Sequence, residues 1–568
     1  MNGKLNFVLC WHMHQPYYRE GLEGPYRLPW VYLHALKDYD DMAAHLERNP
    51  AMRAVVNFAP VLLEQLTDYA HQIGAFLERG EAMADPLLNL LAGVTPVPAD
   101  PAARRVLVDA CSRAHAPRMI DPHPVYQALL SRFHPADESR PETELLLEYL
   151  DPQYFLDLLT WYHLAWTSHN LKQQPLIQRL MKKGRHFGPE DRHALLALFR
   201  DTLERIVPRY RALAEQGQIE LSMTPWGHPI VPLLNDFANM KEAQPDAPMP
   251  EHERYPGGVE RSRWHLREGL KVFEQHFGFR PKGVWLSEGG VSDDALALLD
   301  ELGIQWTASG EAVWHHSCLS SQCDPDEMAC RRALFHPYRL EGQRTRIHFR
   351  DDGLSDLIGF EYSKWHADDA VADFVGHLER IAQSLGDEMD QYVVTVILDG
   401  ENAWEYYPDN GHFFLEGLYR RLSEHEYIRP TTFSALGDSV REAPLKHLVA
   451  GSWVYGSFST WIGSADKNRA WDLLVEAKRC YDRRIAGLPA ETAAEATRLL
   501  GVCEGSDWFW WFGDYNPAQS VSDFDRLFRL QLRRLYRMLG ENPPPALDTP
   551  ISRGGGSMEN AGTMRRNQ

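Results

Sequence analysis

Two acidic residues stand where apolar, strand-like runs give out. Glu288 closes the run Lys282-Gly283-Val284-Trp285-Leu286-Ser287, and Asp399 follows Tyr392-Val393-Val394-Thr395-Val396-Ile397-Leu398. A carboxylate at the end of a buried strand is costly to desolvate unless it meets a cleft or a partner. Two of them on one face of a barrel are the minimum equipment for cleaving a glycosidic bond: one attacks or activates, the other protonates the leaving oxygen. Glu401, two residues beyond Asp399, competes for the acid role; otherwise it supports Asp399 or is solvated.

Three histidines fall at comparable places. His12 and His14, in His12-Met13-His14-Gln15-Pro16, point the same way if the strand alternates. His228 lies in Thr224-Pro225-Trp226-Gly227-His228-Pro229, after another apolar run. Such imidazoles can bind a metal, donate to substrate hydroxyls, or form a satisfied structural pair. Asp352, in Arg350-Asp351-Asp352-Gly353, either hydrogen-bonds a sugar hydroxyl or pairs locally with Arg350. The aromatic-rich stretch 451–463, with Trp453 and Trp461, offers a stacking wall or packing; 504–512 reads as packing.

These residues need a scaffold that collects strand ends. Seven short apolar segments read as strands: about 5–11, 53–58, 219–223, 282–287, 304–308, 346–350 and 392–398. Helical patterns lie between them, which implies βαβ units and a parallel sheet, closed or open. One helix is explicit. Ser292 is a good N-cap, Asp293 and Asp294 suit the first turn, Ala295, Leu298, Leu299 and Leu302 form a stripe, and Gly303 ends it. Segments 85–185, whose helical patterns are broken by Pro-rich turns, 238–258 and 309–345 look like insertions into a catalytic region spanning 1–414. Residues 415–550 read as a helical domain without evident strands, and 551–568 as a flexible tail.

Composition narrows the partners. With 59 Lys and Arg against 79 Asp and Glu, the net charge of −20 disfavours nucleic acid and anionic membrane. The seven cysteines are scattered, apart from Cys318, Cys323 and Cys330, whose spacing fits a plain loop better than a zinc site. No signal peptide and no membrane-spanning run is read, so a cytoplasmic location is expected.

Taken in order, the segments around His12, His228, Glu288, Asp399 and Trp453 to Trp461 resemble the five characteristic regions of glycoside hydrolase family 57. The resemblance implies an α/β fold: an incomplete (β/α)7 barrel with helical insertions, followed by a C-terminal α-helical domain. It implies a retaining mechanism on an α-glucan or maltooligosaccharide, with no cofactor and no metal. Glu288 would be the nucleophile and Asp399 the general acid/base, about 5–5.5 Å apart. His12, His14, His228, Trp285, Asp352, Trp404, Trp453 and Trp461 would bind substrate. The long form looks most like the amylase and amylopullulanase branch, with 4-α-glucanotransferase or branching enzyme as alternatives. Two readings of other classes stand beside it: a metal-dependent amidohydrolase using His12, His14, His228 and Asp399, and a non-catalytic glucan-binding protein.

Overall fold

The computed structural model describes residues 3–133, 141–329, 331–437 and 440–556. It is an α/β fold around a parallel sheet. The central strand is β1 (Leu5–Met13), buried along its whole length. It pairs in parallel with β2 (Ala54–Phe58), which pairs in parallel with β3 (Ile219–Met223). Burial on both faces explains why these strands read as nearly continuous apolar runs.

The next position round the sheet is irregular. Residues expected as a strand at 282–287 make only two isolated parallel bridges, Met223 to Val284 and Gly283 to Trp306. Gly283 is required there, since a Cβ would sit 1.8 Å from the Trp306 ring. Beyond it lie β4 (Trp306–Ser309), β5 (Tyr338–Leu340) and β6 (Arg346–Phe349), with β4 parallel to β6 and β5 antiparallel to it. β7 (Val393–Asp399) returns to the other side of β1. Between β6 and β7 no ladder forms among the described residues. Asp351 N–H donates to the Thr395 carbonyl at 2.8 Å, and Arg350 Nη1 donates to the Ile397 carbonyl at 2.9 Å. The guanidinium thus satisfies a strand carbonyl where a neighbouring strand is missing.

The regions outside the barrel differ from expectation in four places. Residues after 415 contain two short strands, β8 (Ile428–Thr431), parallel to the first half of β1, and β9 (Ala443–Leu445), parallel to β5. Their brevity and single Pro residues, Pro430 and Pro444, hid them. The 85–185 insertion is helical, and its prolines open helices rather than break them: Pro86, Pro101, Pro124, Pro152 and Pro175 each occupy a first turn. Cys318 lies on the helix Glu311–Ser321, not in a loop, and its thiol faces the Tyr338 hydroxyl at 3.6 Å; Cys330 is outside the described residues. At the expected tail, Ser552 is buried and accepts from Gly513 N–H, and Gly555 N–H donates to Asn516; residues 557–568 are outside the described residues. Ser292 does cap Asp293–Glu301, accepting from Ala295 N–H. No helix of the described residues is long and apolar enough to cross a membrane.

One buried ion pair fastens the C-terminal helices to the barrel. Glu504 accepts from Arg261 at 2.7 Å, from His265 at 2.8 Å and from the Tyr255 hydroxyl at 2.6 Å, and is fully buried. His265 Nδ1 accepts from Gly227 N–H, so its Nε2 donates and the ring is neutral. Burial pushes the Glu504 carboxyl up, but the Arg261 charge and the hydrogen bonds from His265 and Arg261 outweigh it and hold the pKa at about 2. The stability this supplies is complete above the unfolded pKa of about 4.3 and is lost as pH falls towards 2. Glu504→Gln should therefore lose roughly 3–5 kcal/mol at pH 7, because Arg261 is left buried and unpaired. Urea unfolding at pH 7 and pH 3 checks this; a smaller loss at pH 3 is expected.

Candidate active site

The site begins at the C-terminal ends of β1 and β7. Parallel register places His12 level with Asp399. Gly400 N–H donates back to the His12 carbonyl at 2.8 Å, and a Cβ at Gly400 would strike Met13 Sδ at 2.3 Å, so the chain turns sharply after the acid. Asp399 is 8% exposed and accepts from Asn402 Nδ2 at 2.7 Å. Burial raises its pKa to about 6, against the opposing pull of the Asn402 hydrogen bond and the His14 and Arg350 charges. Glu401 is not solvated. It is buried and accepts from His14 N–H at 3.2 Å and Gln15 Nε2 at 3.3 Å. Burial first, then the charges of Asp399 and Asp38, push its pKa well up.

Glu288 sits in a single tight turn, Ser287–Gly289, shortly before the helix Asp293–Glu301. Its φ is +59°, a left-handed conformation that a glutamate adopts at a cost. Trp453 fixes it from two sides: its backbone N–H donates to the Glu288 carbonyl at 3.1 Å and its indole N–H to Oε2 at 2.9 Å. Glu288 Oε1 lies 4.0 Å from His228 Nδ1, and the side chain is 13% exposed.

The histidines form an ordered relay. Asn57 Oδ1 accepts from the Thr224 hydroxyl at 2.8 Å while Asn57 Nδ2 donates to Ser222, so the 2.7 Å contact with His12 requires His12 Nδ1 to donate. Burial, then the neighbouring His14, lowers the His12 pKa to about 3, so the ring is neutral and its Nε2 accepts. His228 Nε2, 3.2 Å away, must donate to it, which leaves His228 Nδ1 to accept from the Ser506 hydroxyl at 2.8 Å. Burial likewise holds His228 neutral, with a pKa far below the usual range. His14 stacks on His228 with ring centres 3.7 Å apart and planes at 10°, and its Nε2 contacts Asp507 Oδ1 at 2.9 Å. His14 Nδ1 is buried without a hydrogen-bond partner among the described residues.

His14, His228 and Asp507 also lie close enough together to be considered as metal ligands. Imidazole lone pairs lie in the ring plane, so two stacked rings direct them side by side rather than onto one point. His228 already uses both nitrogens within the protein. The arrangement suits hydrogen bonding to a hydroxylated ligand better than coordination. A second group, His45, His412 and Glu416, has its carboxylate already neutralised by Arg48 at 2.6 Å.

Asp399, Arg350, Trp453, Val454 and Trp510 line one recess. The Arg350 guanidinium lies 4.8 Å from the Trp453 ring centre, bridging the side that carries Asp399 to the side that carries Glu288. Asp352 pairs with Arg350 at 2.6 Å, the local pairing foreseen as its alternative role. Three of the expected aromatic contacts are placed in the core. Trp285 is fully buried beneath Trp453, ring centres 5.1 Å apart; Trp404 packs on Trp11 and Tyr407 and donates to the Gly400 carbonyl; Trp461 is fully buried behind Trp510. Their rings support the recess wall and show it no free face. Sequence reasoning missed Asn57, Arg350 as a wall residue, Asn402, Ser506, Asp507 and Trp510. Asn57 gave a signal: it is the one polar residue in the run Ala54-Val55-Val56-Asn57-Phe58.

The sequence model of glycosyl hydrolase family 57 matches residues 8–445, and the chain belongs to that family. Its fold is similar to that of a family 57 branching enzyme from Pyrococcus horikoshii, at 16% identity and a TM-score of 0.57 over 94% of this chain and 89% of that one. The branching enzyme of Thermococcus kodakaraensis, solved with glucose, aligns at 16% identity and 0.56 over 99% and 98%. The α-amylase AmyC of Thermotoga maritima aligns at 14% identity and 0.57 over 94% and 93%. No curated protein matches the chain.

The relay fixes a tautomer for each ring. Nitrogen-15 NMR of selectively labelled protein should show His12 protonated at Nδ1 and His228 at Nε2, both neutral down to pH 5. Ser506→Ala should disturb the His228 signals and leave unchanged those of His163, a buried histidine bonded to the Tyr32 hydroxyl and the Leu159 carbonyl.

Proposed function

We propose that this chain is a retaining, α-glucan-active enzyme of family 57, with Glu288 as nucleophile and Asp399 as general acid/base. The observation that carries the reading is a desolvated carboxyl, Asp399, in a recess whose Trp453 wall also holds Glu288. Glu288 accepts an indole N–H and keeps its side chain 13% exposed. Asp399 is desolvated, which favours its neutral form up to about pH 6. Double displacement needs one carboxyl that begins protonated, the part assigned to Asp399, and one carboxylate that attacks, the part assigned to Glu288. Glu288 attacks the anomeric carbon as Asp399 gives its proton to the leaving glycosidic oxygen, and a glycosyl ester forms on Glu288. Asp399, now ionised, takes a proton from the incoming water or sugar hydroxyl, whose oxygen displaces Glu288 from the anomeric carbon. The unpartnered His14 Nδ1 is the group poised for a hydroxyl of the bound sugar. The α-glucan assignment is drawn from the family and from its branching and amylase members.

The preferred reaction is hydrolysis of the α-amylase or amylopullulanase type. Transfer to a sugar, as in branching or 4-α-glucan transfer, is the second reading. The recess favours it in one respect: with Asp399 8% exposed and Trp453 9% exposed, little room is left for bulk water to reach the ester. Amylose incubated with the protein distinguishes the two. Hydrolysis raises reducing ends in step with loss of iodine staining; transfer changes the stain with few new reducing ends, and branching alone adds branch points.

Two outcomes follow. Glu288→Gln should lower kcat by on the order of 10³-fold or more with the far-ultraviolet circular dichroism unchanged; near-normal turnover would remove Glu288 from the mechanism. Because Asp399 must begin protonated, kcat/KM should fall above an apparent pKa near 6. In Asp399→Asn that limb should disappear along with most of the activity.

A further inference from the structure

A chain with a net charge of −20 gathers five arginines on one face of one helix. In the helix Ala518–Met538, Arg526, Arg529, Arg533, Arg534 and Arg537 recur at three- and four-residue steps. They span roughly 16 Å at 1.5 Å per residue. All five line an open groove of ≈ 910 Å³ that shares no lining residue with the recess, and whose other wall is made by the loop around Gly21 and the helix Ala490–Cys503. Three of them are matched by carboxylates: Arg529 by Asp525 at 2.8 Å, Arg533 by Asp548 at 2.5 Å and Arg534 by Glu20 at 3.1 Å. Glu20 is shared, since Arg27 also pairs with it. Arg526 and Arg537 are exposed and have no carboxylate partner among the described residues.

The crowding is uneven. Arg27, Arg526 and Arg534 stand close enough that, after burial, the charges of the other two lower the Arg27 pKa. Two of these guanidiniums share one carboxylate, Glu20, and the third, on Arg526, has none among the described residues, so the three repel one another unless an anion joins them. Planar guanidiniums bind phosphate oxygens two at a time, which a sulfate-sized or phosphate-sized group satisfies and a neutral glucan does not. The groove also offers Glu23 and Glu495, which cannot bind phosphate but accept from hydroxyls. Leu22, Leu499 and Leu530 supply an apolar floor.

We propose that this groove binds a phosphorylated sugar, its phosphate on Arg526 with Arg27 and Arg534 beside it and its hydroxyls towards Glu23 and Glu495. The same chemistry has two sources, a free sugar phosphate or a phosphate ester carried on a glucan chain. A free ligand would make the groove an effector site; a chain-borne one would make it an anchor for polymer.

Isothermal titration calorimetry of the full chain tests this. Glucose 6-phosphate should bind at least tenfold more tightly than inorganic phosphate or glucose at equal ionic strength. Arg526→Gln, an exposed change outside the recess that holds Asp399, should weaken that binding at least tenfold and leave turnover of unphosphorylated amylose unchanged. Starch dextrins titrated before and after phosphatase treatment identify the source. Tighter binding of the phosphorylated dextrin than of glucose 6-phosphate marks a chain-borne ester, and weaker binding marks the free sugar. Absence of saturable binding by both, equal affinity for inorganic phosphate, or unchanged binding in Arg526→Gln would overturn the proposal.

Discussion

The parallel pairing of β1 with β7 is the constraint on which the site depends. It sets His12 level with Asp399. A shift of one residue would turn every side chain of β7 to the opposite face. Asp399 would then lose its recess and an apolar residue would take its place. The register is secured by burial on both faces and by the turn at Gly400, whose N–H returns to the His12 carbonyl. The placement of Asp399 and the packing of the core are therefore specified by the same contacts.

The second half of the site comes from far along the chain. Glu288 is held by Trp453, and His228 by Ser506, so neither group is positioned by the barrel alone. The segment carrying Ser506 and Asp507 is anchored two residues earlier by Glu504, which is buried against Arg261 and His265. This explains why a fully buried charge is kept: it ties the position of the hydroxyl that sets the His228 tautomer to the docking of the C-terminal helices. The left-handed backbone of Glu288 is sustained by the same neighbours.

Much of the scaffold was legible in the sequence because buried parallel strands are nearly all apolar. Six of the seven expected segments form strands close to the expected bounds, and the acids at the ends of two segments sit where the runs predicted. The segment before Glu288 was read as a strand and forms only bridges, since Gly283 and the turn at Ser287–Gly289 leave it little length to pair. β5, β8 and β9 are three or four residues long, too short for alternation to register. The aromatic residues were harder. Trp404 and Trp461 have the composition of a stacking wall, but only packing decides whether a ring faces sugar or core, and both face core. Ser506 and Asp507 were obscured because the surrounding run, Trp508 to Phe512, reads as packing, and in part it is.

The account rests on Glu288 and Asp399 having different jobs at one anomeric centre. Azide rescue separates those jobs directly. With an activated α-glucosyl substrate, Glu288→Ala lacks the nucleophile, so azide should displace the leaving group in one step and give the β-glucosyl azide. Asp399→Ala retains Glu288, so azide should intercept the glycosyl ester and give the α-glucosyl azide. Anomeric proton NMR of the two products reads the result. The same anomer from both variants, or the two anomers exchanged, would contradict the assignment.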